Sequence, residues 1–162
     1  MIERTLVLLK PDCVQRHIVG EIISRFEKAG LKIVGIKMVL CDEDFASKHY
    51  FDMKERYGDR IYKVNADYLM EGPIAAMVLE GINSIKIVRK LVGSTYPDEA
   101  IPGTIRGDYA HVSKDYANTN NKKVANLIHA SASKDDAVRE INLWFKQEEL
   151  QGYKLPHEHH IL

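Results

Sequence analysis

The chemistry in this chain centres on the stretch Asn126-Leu127-Ile128-His129-Ala130-Ser131. A single histidine stands there, with an amide three positions before it and a hydroxyl two after. Such neighbours can hold an imidazole at a fixed angle with both ring nitrogens addressed. A fixed imidazole serves as nucleophile, base or ligand. Taken alone, the plainer account of His129 is a half-buried side chain with one satisfied hydrogen bond. Three cations fall where the chain punctuates: Lys10 at the end of an apolar run, Arg89 on a helix, and Arg106 before a candidate strand. Converging on His129, they would form a site for a polyanion. Arginine forks match phosphate oxygens, and lysine adds a point charge. Arg89 by itself is equally well explained as a solvated helix residue.

Gly-rich phosphate cradles of the GxGxxG or GxxxxGK[ST] type are missing, so side chains would have to supply most phosphate contacts. No cluster of acids is spaced for a permanent metal, so a divalent ion would arrive with the phosphorylated ligand. The run His157-Glu158-His159-His160 invites a metal reading, but a polar terminal tail explains it more simply.

The length bounds what positions these groups. The 162 residues suit a single domain over 1–162, with 146–162 as a C-terminal surface tail. Lys plus Arg and Asp plus Glu both number 23, and this zero net charge argues against non-specific binding to nucleic acid or membrane surfaces. Cys13 and Cys41 have no CxxC spacing and are too few for a disulfide framework. No signal peptide is evident at Met1-Ile2-Glu3-Arg4, and the longest apolar run, Ile74 to Leu79, is too short for a bilayer. A cytoplasmic location is expected.

Thr5 to Leu9 reads as a buried central strand ended by Lys10-Pro11-Asp12. Gly20 to Ala29 is an amphipathic helix that Gly30 can end. From Leu31 to Leu40 the period changes, and Val34, Ile36, Met38 and Leu40 are expected on the buried face of a strand. Asp42 opens a helix running through Phe45, His49, Tyr50 and Met53, broken at Gly58-Asp59-Arg60. Val64 to Met70 is expected to be a short helix and Ile74 to Leu79 a strand. Asn83 or Ser84 caps a helix closed by Gly93. Ser94 to Asp108 reads as an ordered loop or a set of turns, Tyr109 to Val112 as the last strand, and Ser113 to Lys123 as a surface loop. Ser133 or Asp135 caps the final helix. The order implies an α+β, ferredoxin-like βαββαβ fold, with a four-stranded antiparallel sheet, additional helices, and helices mainly on one face.

At this point the chain resembles the nucleoside diphosphate kinase family across nearly its whole length. The matching pieces are Arg4-Thr5-Leu6 into Lys10-Pro11-Asp12, Val19-Gly20-Glu21-Ile22, and Gly72-Pro73 before Ala75 to Gly81. Pro102-Gly103-Thr104-Ile105-Arg106-Gly107-Asp108 and Asn126 to Ser131 follow, and these two together are highly specific. The resemblance implies ping-pong phosphoryl transfer through a phosphohistidine on His129, from a nucleoside triphosphate to a nucleoside diphosphate. It implies Lys10, Arg89, Thr95 and Arg106 on the phosphates, Tyr50 beside the histidine, and Asn126 with Lys10 on the ribose. It makes Glu140 the acid that bonds the other imidazole nitrogen and Ser131 part of the site wall. It further implies Mg2+ carried with the nucleotide, weak base discrimination, and a homo-oligomer, a hexamer or tetramer built from dimers.

The chain also departs from the family. Ala132 stands where an acid is usual, and Cys13 and His17 where glycines are common. Arg56 to Tyr68 lacks the usual Pro-Phe-Phe, leaving Tyr57 and Tyr62 as candidates to stack on the base, with Val112 as an apolar contact opposite. Ser113 to Ala125 is much longer than the family's short connection, and would form a flap beside the cleft or an oligomer contact. Ala132 and the altered loop are the support for a second reading, a phosphate-binding module without turnover. The intact set Lys10, Arg89, Arg106, Asn126, His129 and Glu140 argues against it.

Overall fold

The computed structural model describes residues 1–156 and 158–161, without the side chains of 159 and 161. His157 and the His159 side chain, and with them the tail's metal reading, lie outside the described residues. The elements in order are β1 (Ile2–Leu9), α1 (Pro11–Gln15), α2 (Val19–Lys28), β2 (Lys32–Val39), α3 (Glu43–His49), α4 (Met53–Tyr57) and α5 (Asp59–Met70). Then come β3 (Ile74–Ile82), α6 (Ser84–Val92), α7 (Ile105–Tyr109), α8 (Lys114–Thr119), β4 (Ile128–Ala130), α9 (Lys134–Trp144) and α10 (Glu158–Ile161). The sheet order is β2-β3-β1-β4, antiparallel throughout. This is the expected α+β, ferredoxin-like arrangement.

β1 is central because both of its faces are apolar. Val7 and Leu9 pack with Ile22 and Phe26 of α2 and Val88 and Val92 of α6. Leu6 and Leu8 pack with Ala46 of α3, Leu69 of α5 and Ile141 and Trp144 of α9. The strand period of two sends alternate residues to opposite faces. Helices therefore cover both faces of the sheet, not mainly one.

Further expectations change. The last strand is β4, not Tyr109 to Val112. Thr104 starts a helical turn at Ile105, its hydroxyl accepting from the Gly107 amide, and that turn runs through Tyr109. β4 instead pairs with the end of β1, with His129 opposite Leu8. On β2, Val34 is buried, but Ile36 and Met38, and Leu40 just after the strand, are exposed. A register irregularity between Ile33 and Gly35 breaks the alternation, as an extra residue must. Helix α3 stops at His49, and α5 begins at Asp59, directly after Gly58 at φ 84° and ahead of the expected Val64. The 113–123 stretch also carries structure, since Ser113 caps α8 through the Tyr116 amide.

The C-terminal stretch lies along β2: the Gln151 amide donates to the Val34 carbonyl, and the Tyr153 hydroxyl to that of Ile33. No described helix is long and apolar enough to cross a membrane.

Candidate active site

Lys10 leaves β1 where the core ends, and its side chain stays buried. Its Nζ donates to Asn126 Oδ1 at 2.8 Å and lies 4.6 Å from the Tyr68 ring centre. Burial, then the charge of Arg106, brings its pKa down to about 7. Asn126 cannot turn over, because its Nδ2 donates to the Thr95 carbonyl at 2.9 Å. One amide thus ties the end of β1 to the loop after α6.

Arg106 is buried and spends its donors on four carbonyls, those of Gly93, Ser94, Asn126 and Ile128. Burial, then the nearby Arg89, lowers its pKa to about 10. Gly93 makes this grip possible: its φ is 89°, and a Cβ there would lie 2.5 Å from Thr104 Oγ1. Arg89 differs: it is exposed on α6 and lines the same cleft.

His129 sits mid-β4. Its Nε2 lies 3.0 Å from Glu140 Oε2, which also accepts from the Ser131 hydroxyl at 2.7 Å. Glu140 is almost wholly buried at 4% exposure, so it is no solvated helix acid. Burial opposes its ionisation, but the charge and hydrogen bonds of His129 and the Ser131 bond outweigh this and lower its pKa. With Nε2 occupied, Nδ1 is the histidine nitrogen left for chemistry. The preceding turn is strained: Leu127 is fully buried at φ 70°. Its amide is held by Asp12 Oδ2 at 3.2 Å. Strain of this kind persists only where the surroundings enforce it, and it often marks functional sites.

These groups surround one cleft of about 340 Å³, lined by Lys10, Tyr50, Arg89, Thr95, Arg106, Asn126 and His129 among others. Among the described residues no carboxylate lines it, so it suits a polyanion better than a bare cation. A second hollow, near Leu31 and Ile82, lies at the far end of the sheet and holds none of this chemistry.

Three candidates fall elsewhere. Ser131 is fully buried behind Glu140 and also accepts from the Leu6 amide, so it supports the acid and does not wall the cleft. Tyr57 is 63% exposed on α4 and does not line the cleft. Val112 lines a neighbouring hollow with Val64, Asp67 and Tyr116. Residues not singled out from sequence take part instead: Met53 and Asn65 line the cleft, and Tyr68 lies beneath Lys10. Only the Lys10-Pro11-Asp12 string hinted at Asp12, and nothing local marked the others.

The family model for nucleoside diphosphate kinase matches residues 3–150. A nucleoside diphosphate kinase of Borreliella burgdorferi is 44% identical over 156 residues, 95% of this chain and 93% of its own. One of Pyrococcus horikoshii is 50% identical over 151 residues, 93% of this chain and 90% of its own. Among solved structures, a transition state mimic of the Borrelia burgdorferi enzyme with bound vanadate and ADP superposes with a TM-score of 0.95 at 42% identity, covering 99% of this chain and 96% of that one. A halophilic nucleoside diphosphate kinase from Halobacterium salinarum in complex with CDP gives 0.87 at 36% identity, covering 100% and 99%. With the cationic cleft, the oriented histidine and a match over nearly its full length, the chain belongs to the nucleoside diphosphate kinase family.

Proposed function

We propose that this protein transfers the γ-phosphate of a nucleoside triphosphate to a nucleoside diphosphate by a ping-pong route through His129. The carrying observation is that Glu140 occupies Nε2 of a histidine that lines a cationic cleft. A carboxylate on Nε2 keeps the proton there and leaves a lone pair on Nδ1. That lone pair attacks the γ-phosphorus, the bond to the bridging oxygen breaks, and the diphosphate leaves with the bond's electrons. A second diphosphate attacks the phosphohistidine through its terminal oxygen, and the lone pair returns to Nδ1. Such transfer depends on in-line positioning and charge neutralisation.

Lys10, Arg89 and Arg106 supply the positive charge, Thr95 a hydroxyl at the cleft wall, and Asn126 with Lys10 the ribose contacts. Tyr50 closes the side nearest His129. Val112, which lines the neighbouring hollow, supplies the apolar contact to the base, while Tyr57 is exposed on α4 away from the cleft lining. Mg2+ enters as part of the substrate, on the phosphates, because the cleft itself holds no carboxylate. Met53 offers a base only an apolar surface, and Asn65 spends its Nδ2 on the Ile61 carbonyl, which suits weak discrimination.

A homo-oligomer, a hexamer or tetramer built from dimers, belongs to the same reading. Ile36 and Met38 on the edge strand β2, with Leu40 just after it, form an exposed apolar row, and such a row is commonly covered by another chain. Residues 1–162 act as one domain in the cytoplasm, where both free thiols would stay reduced.

The test uses purified protein with γ-labelled ATP and magnesium, removal of nucleotide, then GDP, with His129→Ala as control. Acid-labile, base-stable label that enters the protein and leaves as GTP is expected. Protein that binds ATP but never takes label would be a nucleotide-binding module, and Ala132 and the altered loops would be the first suspects.

A further inference from the structure

His49 lies beside the phosphoacceptor and has an unexplained atom. It is 3% exposed, its ring lies 4.8 Å from that of His129 at 83°, and its Nε2 is buried without a hydrogen-bond partner among the described residues. Its other nitrogen is accounted for: Nδ1 lies 3.2 Å from Trp144 Nε1. Indole can only donate, so Nδ1 must accept, and a neutral His49 then carries its proton on Nε2.

That assignment decides between two readings of the cluster. Donor atoms of His49, His129 and Glu140 lie within 4.8 Å of one another, which suggests a metal site. A protonated Nε2 has no lone pair for a metal, and Nδ1 is taken by Trp144. The orphan is therefore a donor on a ring packed edge-on against His129.

We propose that His49 is a positioning residue: Trp144 holds it as the neutral Nε2–H tautomer, and that edge fixes the plane of the His129 ring against Glu140. The inference rests on His129 being the phosphoacceptor. Protonating His49 would require Nδ1–H to face the indole N–H, so Trp144 opposes charge on it. The surroundings agree. Burial, then the electrostatic interaction with His129, lowers the His49 pKa well below its ordinary value; Glu140 opposes this, while Lys10 and Arg139 add to it. Those groups come from β4, α9 and the end of β1, with the Tyr50 ring alongside at 4.6 Å and tilted by 59°. A charged His49 would compete with His129 for Glu140. A neutral one leaves that carboxylate to the nucleophile in both halves of the cycle.

The test has a readout that does not depend on turnover. Nitrogen-15 NMR of the intact wild-type protein should show His49 as the Nε2–H tautomer from pH 6 to 8. An Nδ1–H tautomer or an imidazolium at pH 7 overturns the proposal. Trp144→Phe removes the donor, and the acid limb of phosphoenzyme formation should then move up by about one pH unit, with nucleotide Kd changed by less than about threefold. Trp144→Phe/His49→Gln should return the limb to its wild-type position, because an amide cannot titrate. An unmoved limb in the single variant, or a shift that persists in the double variant, overturns the proposal. Should Trp144→Phe not fold, His49→Gln and His49→Leu decide. The amide keeps a neutral donor and should lose less than about threefold in phosphoryl transfer, while leucine should lose more than about tenfold. Equal losses would make the role steric only and overturn the proposal. If wild-type protein takes no label, the kinase reading fails while the tautomer remains measurable.

Discussion

His129 Nε2 and Glu140 Oε2 lie 3.0 Å apart across the joint between β4 and α9, eleven residues apart in the chain. Glu140 is held by Ser131 and lies beneath the surface, so its charge acts through little solvent. Glu140→Gln keeps the shape and removes the charge. Phosphoenzyme formation should fall on the order of 10²-fold, because the imidazole loses its tautomer bias and its orienting partner. Nucleotide Kd should barely change, since Glu140 does not line the cleft. Single-turnover labelling beside equilibrium binding checks both.

Lys10 makes nucleotide binding depend on pH. Its pKa is about 7 in the free cleft, and phosphate charge must raise it on binding. Above pH 7 the free lysine is increasingly neutral, so binding takes up a proton and affinity falls as pH rises, by up to about tenfold per pH unit. Titration calorimetry in buffers of different ionisation enthalpy should show proton uptake near pH 8. Identical heats in all buffers would count against it.

The same group affects folding. Lys10 titrates near 10.5 when unfolded and near 7 when folded, so between these values the unfolded chain binds more protons. Its contribution therefore makes stability rise with pH across that window, and the buried charge opposes folding in full below it. Lys10→Met should flatten the rise and increase the Tm of the nucleotide-free protein by roughly 3 °C or more at pH 6. Thermal scans at pH 6 and 9 would measure it.

The two arginines should separate. Arg89 is exposed at the cleft, so Arg89→Ala should weaken nucleotide binding roughly tenfold or more and leave Tm within about 2 °C. Arg106 is buried on four carbonyls, so Arg106→Ala should lose binding and also destabilise by about 2–4 kcal/mol, since those carbonyls lose their donor. Arg106→Lys should not rescue it, because an ammonium cannot span the fork. Denaturant melts with binding curves separate the outcomes.

The 113–125 stretch reaches back to the site. Lys123 stacks 4.5 Å from the Tyr68 ring whose centre also lies 4.6 Å from Lys10 Nζ, and Lys114 lies 5.4 Å from the Tyr96 ring. Replacing Lys114 to Lys122 with a short Gly-Ser linker should raise nucleotide KM about threefold or more, or shift the sedimentation of the assembly. If neither changes, the insertion is neither flap nor contact.

Much of the fold was legible because its signals are local. The apolar runs of β1 and β3, the amphipathic period of α2, and the stop at Gly93 depend on near neighbours. The failures share one cause. The expected last strand at Tyr109 to Val112 carried a plausible strand pattern, but its start had already been taken into the helical turn that Thr104 caps. The row Ile36, Met38 and Leu40 alternated as a buried face should, yet an irregularity near Ile33 and the open edge turned it outward.

The sequence by itself determined which chemical groups were available: one histidine among small and apolar residues after a polar loop, three cations at punctuation points, and an acid eleven residues on. Only the tertiary structure decided what those groups are. Which nitrogen of His129 is free follows from a 3.0 Å contact with Glu140. Lys10 becomes a group that titrates near neutrality through burial beside Arg106. His49, unremarkable in the chain, acquires its tautomer from Trp144, ninety-five residues away. Proton affinity and nucleophilicity depend on desolvation and on charges a few ångströms off, and chain order does not specify either.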